Sequence, residues 1–323
     1  MKRYLPLFAS AAICAALPAS AQDAKTYPAP SEIVAAAKAD NWVAIAPSDL
    51  LVMDLAPDSK GKPRRVVIQL MPAPFSQGWV SNIRKLAAAH WWDGTSINRV
   101  QDNYVVQWGD ATEKRALPEG LAVVPEGDYE SSLQPGSKFK WITEGVEQAV
   151  SAEAMLKDSQ GETTVFDAYR HETAIWSGWP IAVAEKAWPI HCYAMVGVGR
   201  NLSPDTGTGA ELYTVIGHAP RHLDRNIALV GRVIEGIEHM SSLPRGTGAL
   251  GFYEKEEERV PILSVRVGNE AKDVPAFEYL STDSASFAAY AEARANRRDA
   301  FFNVPAGGAD ICNIPVPIRR KAF

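Results

Sequence analysis

The stretch that decides the fold is Asp93-Gly94-Thr95-Ser96-Ile97-Asn98-Arg99-Val100-Gln101-Asp102-Asn103-Tyr104-Val105-Val106-Gln107-Trp108-Gly109-Asp110. Asp93-Gly94 marks a turn, and Ser96–Val100 and Tyr104–Trp108 are short β-prone runs joined by a polar corner, so the stretch predicts two neighbouring strands. Arg99 and Gln107 are the long polar side chains inside those runs. Upstream, Phe75 to His90 predicts a helix, because Trp79, Ile83, Leu86 and Ala87 fall on one face. Before it, Leu50–Leu55 and Arg65–Leu70 predict two strands around a polar turn at residues 58–63. Downstream, strands are expected over residues 193–199, 211–217, 227–234 and 259–267. A Gly/Pro loop is expected over 201–209, a turn over 220–225 and a short helix over 235–242. Many short strands with few helices predict an all-β fold, a closed barrel or a sandwich.

The flanks read differently. Pro28 and Pro30 precede a small helix with Ser31 as N-cap, Ser284 to Phe302 predicts an amphipathic helix capped by Asp283 or Ser284, and the Pro-containing tail after Cys312 is expected to be non-helical. Residues 111–190 are broken by proline and glycine in their first half and rich in tryptophan. They read as an ordered insertion with a possible helix over 143–157.

Composition narrows the function. The chain has 323 residues, 46% hydrophobic and 22% charged, with a net charge of −5. That is globular composition without the basic face that nucleic-acid binding needs, so no nucleic-acid partner is expected. Lys2 and Arg3, the apolar run Leu5–Leu17 and Ala19-Ser20-Ala21 together form a secretory leader cleaved after Ala21. The run is too short to span a membrane, and Ile13 before Cys14 argues against a lipoprotein. The expected location is the periplasm, with no membrane contact after cleavage. Removal of residues 1–21 leaves Cys192 and Cys312. In an oxidising compartment these are a candidate disulfide worth roughly 2–4 kcal/mol, the alternative being two buried free thiols.

Generic chemical motifs are weak. Asp205-Thr206-Gly207-Thr208 resembles one half of an aspartic-protease signature but has no second half. His218 and His222 are four apart, but Pro220 between them opposes a shared helical face, so no metal is expected. No nucleophile elbow, P-loop or dinucleotide fingerprint is present, so no cofactor is expected.

The opening stretch is similar to the cyclophilin run D-G-T-x-F-H-R-V-x-x-x-F-x-x-Q-G-G-D, and Asn82 falls where the family has the N of A-x-N-F. Gly197-Val198-Gly199-Arg200-Asn201 resembles the bacterial G-M-A-R-T/N. Leu223-Asp224-Arg225-Asn226 through Gly231-Arg232-Val233-Ile234-Glu235-Gly236-Ile237 resembles L-D-G-N-x-x-V-F-G-x-V-x-x-G-M. The chain is thus identified as a divergent member of the cyclophilin-type peptidyl-prolyl cis/trans isomerases. The resemblance implies a closed antiparallel β-barrel capped by helices over 48–270, carrying the insertion 111–190. Residues 22–47 then form an N-terminal linker and helix, and 271–323 a C-terminal helix and tail.

What the resemblance implies for the site is residue-specific. Arg99 takes the catalytic position and Gln107 supports it. Tyr104, Val105, Tyr213 and Leu223 match the lining of a proline pocket, Gly199 and Arg200 the stretch that receives the substrate backbone, and His222 a position where some members carry tryptophan. The partners implied are proline-containing polypeptides. Departures accompany the match: Ile97-Asn98-Arg99 for F-H-R, Glu211-Leu212-Tyr213 for Q-F-F, and Trp108 for a glycine. Two added tyrosine hydroxyls are expected to make the pocket more polar and turnover weak or selective. The alternative reading is a binding module whose barrel holds such peptides without turnover.

Overall fold

The computed structural model describes residues 27–133, 140–141 and 172–321. The leader at 1–21 and the helix expected over 143–157 lie outside the described residues. In chain order the strands are β1 (Trp42–Ile45), β2 (Leu50–Leu55), β3 (Arg64–Leu70), β4 (Ser96–Val100), β5 (Val105–Gly109), β6 (Lys140–Trp141), β7 (Glu172–Trp176) and β8 (Trp179–Val183). They continue with β9 (Ala187–Pro189), β10 (Met195–Val198), β11 (Leu212–Val215), β12 (Leu229–Glu235), β13 (Val260–Val267), β14 (Phe277–Leu280) and β15 (Ile318–Arg320). The helices are α1 (Pro30–Ala35), α2 (Gln77–Ala88), α3 (Glu238–Ser241) and α4 (Ala285–Ala295).

Eight strands close into an antiparallel barrel in the order β10-β11-β5-β4-β13-β2-β3-β12. Closure removes the free edges that an open sheet would expose. Strand alternation fills the interior: on β5, Val106 and Trp108 join the main core, while Val105 packs into a separate outer cluster with Tyr213 and Val215. Trp108 is therefore barrel filling and not part of the pocket that its replacement of a glycine was expected to alter. Helix α2 packs on β12 and β13 through Trp79, Ile83, Leu86 and Ala87, all fully buried, as the periodicity predicted. Asn82 on the same face is buried as well. Its amide donates to the Ala122 carbonyl at 2.9 Å and its oxygen accepts from the Ala122 N–H at 2.8 Å, which fixes the loop after β5 to the helix.

The flanking segments form two further sheets. Strands β6-β7-β8-β9 make a four-stranded sheet within the insertion, and β1-β14-β15 a three-stranded one from both ends of the described chain. Helices α1 and α4 pack together beside it. Cys192 and Cys312 are joined by a disulfide, Cα–Cα 5.2 Å, which fastens the C-terminal segment beside β10. Arg232 on β12 is a second fastening. Its guanidinium donates to Gln69 Oε1 at 2.7 and 3.0 Å and to the Gly178 carbonyl at 2.6 Å, and lies 4.2 Å from the Trp179 ring. Burial lowers its pKa to about 9, so it stays charged near neutrality.

Several local expectations are corrected. Helix α1 is preceded by Ala29, not capped by Ser31. Pro30 occupies its first turn, where no N–H is needed, and the Glu32 carboxylate accepts from the Ala29 N–H at 2.7 Å. Helix α4 is capped by Ser284, whose hydroxyl accepts from the Phe287 N–H. It ends at Ala295 rather than Phe302, because Asn296 leaves helical geometry (φ −138°, ψ 63°). Residues 22–47 and 271–323 contribute β1, β14 and β15 in addition to the expected helices.

Candidate active site

The site is built on the β4–β5 hairpin and on β11. A register shift between Ile97 and Arg99 marks a bulge in β4, after which Arg99 stands opposite Gln107. Bulges re-aim side chains in this way, and here Arg99 turns outward between the buried Asn98 and Val100. Arg99 Nη1 donates to Gln107 Oε1 at 3.0 Å, Nη2 donates to Gln101 Oε1, and Nε donates to the Leu250 carbonyl at 2.8 Å. Its guanidinium carbon lies 5.3 Å from the Phe252 ring centre and 5.9 Å from that of Tyr104. Burial lowers the Arg99 pKa, but from so high a starting value that the group remains a cation.

Beside the arginine runs a groove of about 600 Å³. Eight of the nine residues expected there line it: Arg99, Gln107, Tyr104, Val105, Gly199, Arg200, Tyr213 and Leu223. The apolar end is the outer cluster of Val105, Tyr213 and Val215 with Tyr104, Leu223 and Ile227 packed against it. His222 does not itself line the groove. The turn Arg221–Leu223 sends Leu223 to the wall and stacks the His222 ring on Tyr104, centroids 6.1 Å apart and planes 10° apart. The Gly199 N–H donates to the Glu211 carbonyl at 2.8 Å, so that donor is already engaged within the barrel. The Arg200 side chain is fixed to the Asn226 and Asn201 carbonyls.

Sequence reasoning missed two parts of the site. The first is the segment that reaches Arg99 from far along the chain, with Leu250 supplying a carbonyl and Phe252 pairing with Arg99 in an isolated bridge. No local pattern signals a contact across some 150 positions.

The second is a buried polar network under the groove. His191 is fully buried, with Nδ1 2.7 Å from Asp224 Oδ1 and Nε2 2.8 Å from the Tyr213 hydroxyl. The His191 N–H also donates to Asp224 Oδ1 at 2.9 Å, and Arg221 Nε donates to Asp224 Oδ2 at 2.6 Å. Burial is the main force on the imidazole and lowers its pKa, so the ring is neutral: Nδ1–H donates to the carboxylate and Nε2 accepts from Tyr213. The Tyr213 hydroxyl is therefore turned away from the groove and satisfied. The expectation that it makes the pocket more polar is corrected, and the ring alone is presented to a ligand. The ring lies over Gly197, where any Cβ would overlap it.

Among the described residues no group of three or more His, Cys, Asp or Glu is gathered to hold a metal.

The family described as cyclophilin type peptidyl-prolyl cis-trans isomerase/CLD matches residues 60–267, and the chain belongs to it. Among solved structures, the cyclophilin AquaCyp293 from Hirschia baltica aligns at 21% identity and TM-score 0.62, over 88% of this chain and 96% of its own. The likeness of fold therefore extends past the matched span into the flanking segments. A cyclophilin-type peptidyl-prolyl cis-trans isomerase of Cryptosporidium parvum, solved in the presence of the dipeptide Ala-Pro, aligns at 10% identity and TM-score 0.36, over 67% of this chain and 98% of its own. No curated protein matches the sequence.

Proposed function

We propose that the groove isomerises X–Pro bonds of exported polypeptides in the periplasm, with the proline ring in the apolar end and Arg99 against the rotating amide. The observation that carries this is the state of Arg99. All three of its side-chain hydrogen-bond acceptors are neutral oxygens, so they orient the cation without neutralising it. A guanidinium has five N–H donors, and three such bonds leave two for substrate.

The barrier to X–Pro rotation is about 20 kcal/mol because amide resonance must be broken. At the twisted geometry the nitrogen regains its lone pair and becomes a better acceptor. A fixed cationic donor stabilises that state more than the planar one, which is catalysis by differential binding. The apolar lining removes water from the amide and strengthens the same interaction. The periplasmic reading is supported by the basic, apolar and Ala-x-Ala pattern of residues 1–21 and by the Cys192–Cys312 pair, which suits an oxidising compartment.

The test is X–Pro exchange measured by NMR on a panel of proline peptides. Wild type is expected to accelerate exchange, and Arg99→Ala to lose about 10²–10³ of that acceleration. A wild type without acceleration leaves only a peptide-binding module. An Arg99→Ala variant as fast as wild type refutes the role given to the arginine.

A further inference from the structure

The segment between α3 and β13 returns to β4 beside Arg99 and is fixed there at both ends. The Gly246 N–H donates to the Val100 carbonyl at 3.0 Å, and the Tyr253 N–H donates to the Asn98 carbonyl at 2.9 Å. The Tyr253 hydroxyl donates to the Pro244 carbonyl at 2.6 Å and closes the loop on itself. Glycines allow this close approach. A Cβ on Gly246 would overlap the Gly251 carbonyl, and one on Gly251 would overlap the backbone of Gln101.

This fixed loop holds two large apolar side chains at the surface. Leu250 is 66% exposed and Phe252 38%, and both line the groove together with Arg99. The fold does not account for Leu250. Its side chain buries little, and its backbone is left-handed (φ 55°, ψ 18°), a conformation that glycine adopts without strain. What the site takes from the residue is its carbonyl, which accepts from Arg99 Nε at 2.8 Å and which glycine would supply equally. A strained, exposed leucine at the mouth of a binding groove marks a contact made with something outside the chain.

We propose that Leu250 and Phe252 form an apolar ledge that receives the side chain next to the proline, and that the groove selects polypeptides with a large apolar residue there. This deepens the isomerase reading above and rests on it. The ledge is continuous with the proline end. The Arg99 guanidinium carbon lies 5.9 Å from the Tyr104 ring centre and 5.3 Å from that of Phe252, so the arginine is beside both. Neighbouring residues of an extended chain advance by about 3.3–3.6 Å, so a side chain adjacent to the proline reaches the ledge while the X–Pro amide stays against Arg99. Leu250 and Phe252 offer it no side-chain hydrogen-bonding group. A large apolar side chain laid on them leaves water and shields Arg99 from it, whereas a basic one meets the guanidinium charge.

The experiment is kcat/KM by NMR exchange on matched proline peptides with leucine or alanine before the proline, and separately after it. Wild type is expected to favour leucine at one of these positions by about tenfold, the discrimination that a few methyl groups on a partly open apolar surface provide. Leu250→Gly relieves the left-handed backbone and keeps the carbonyl, so it tests the side chain without straining the fold. It is expected to bring the ratio below about threefold, and Phe252→Ser to lower it in the same direction. A wild-type ratio near one at both positions, or a ratio unchanged in either variant, overturns the ledge and leaves the isomerase reading standing.

A second measurement does not depend on turnover. The Leu250 methyl resonances are followed as the leucine peptide is added at two protein concentrations. They are expected to shift with peptide and saturate. Saturating shifts without turnover support the ledge and remove the isomerase reading instead. Methyls that move with protein concentration and not with peptide make the surface a contact between copies of the chain and overturn the proposal.

Discussion

Replacing Tyr213 by phenylalanine separates what the residue does for the groove from what it does for the fold. The hydroxyl donates to His191 Nε2 at 2.8 Å, and both residues are buried, Tyr213 to 4% exposure and His191 to zero. Removing it costs one buried hydrogen bond, about 1 kcal/mol, and leaves Nε2 an unsatisfied acceptor at roughly 1–3 kcal/mol. Part of this is recovered because phenylalanine has no hydroxyl to desolvate, so the net expectation is a loss of about 1–2 kcal/mol. The ring, not the hydroxyl, faces the groove, so kcat/KM is expected to change less than about threefold, well under the tenfold that 1.4 kcal/mol of transition-state stabilisation represents. The assays are urea unfolding with the disulfide intact, compared at equal m-value, and NMR exchange on a hydrophobic X–Pro peptide. If the hydroxyl faced the groove, the variant would unfold at the wild-type midpoint and bind proline more tightly. That pair of results would refute the hydrogen-bond arrangement drawn for Tyr213, His191 and Asp224.

The Cys192–Cys312 bond closes a loop of 120 residues, and Cys192→Ser with Cys312→Ser is expected to lower stability by about 2–4 kcal/mol, read as a shift in the urea midpoint against the oxidised wild type. Glu211 carries a stability cost of definite sign. Between its ordinary value of 4.5 and its folded value of about 7 the native state holds a proton that the unfolded state has lost, so stability falls as pH rises across that window. Relative to Glu211→Gln, wild type is expected to lose about 3 kcal/mol from pH 4.5 to 7.5, as 1.36 kcal/mol per pKa unit requires. Unfolding at both pH values in both proteins checks it, and taking the difference cancels the contribution of His191. An equal pH dependence in the two proteins would contradict the burial assigned to Glu211.

The β4 and β5 strands and helix α2 were legible in local patterns, the turn residues at Asp93-Gly94 and one apolar face on α2, whereas closure of the barrel and the Arg99–Gln107 pair were legible by resemblance. The apolar wall of the groove was legible by resemblance for Tyr104, Val105, Tyr213 and Leu223. What each substitution does was not. Trp108 reads as an altered pocket but fills the barrel, and Tyr213 reads as an added polar group but hides its hydroxyl on His191. Both outcomes are set by residues far away in sequence. Glu211 was visible as a departure, yet the room its carboxylate occupies depends on Gly109 across the β5–β11 pair. The β1-β14-β15 sheet joins strands from opposite ends of the chain, and no hairpin turn announces it. The β7–β8 hairpin did leave a signal, Trp176-Ser177-Gly178-Trp179, with Ser177 and Gly178 both at positive φ.

The Cys192–Cys312 bond also bears on how the chain matures. The sequence holds three cysteines, and Cys14 lies in the stretch expected to be removed. Once that stretch is removed, the two remaining thiols would permit a single intramolecular pairing, whereas four would permit three. Oxidation of one molecule then has one product, so an oxidant suffices and no reshuffling of wrong partners is required. The Cys192 thiol must nevertheless wait through the synthesis of 120 further residues for its partner. During that interval its hazard is a second molecule rather than a wrong site on its own chain, so faulty maturation takes the form of covalent dimers.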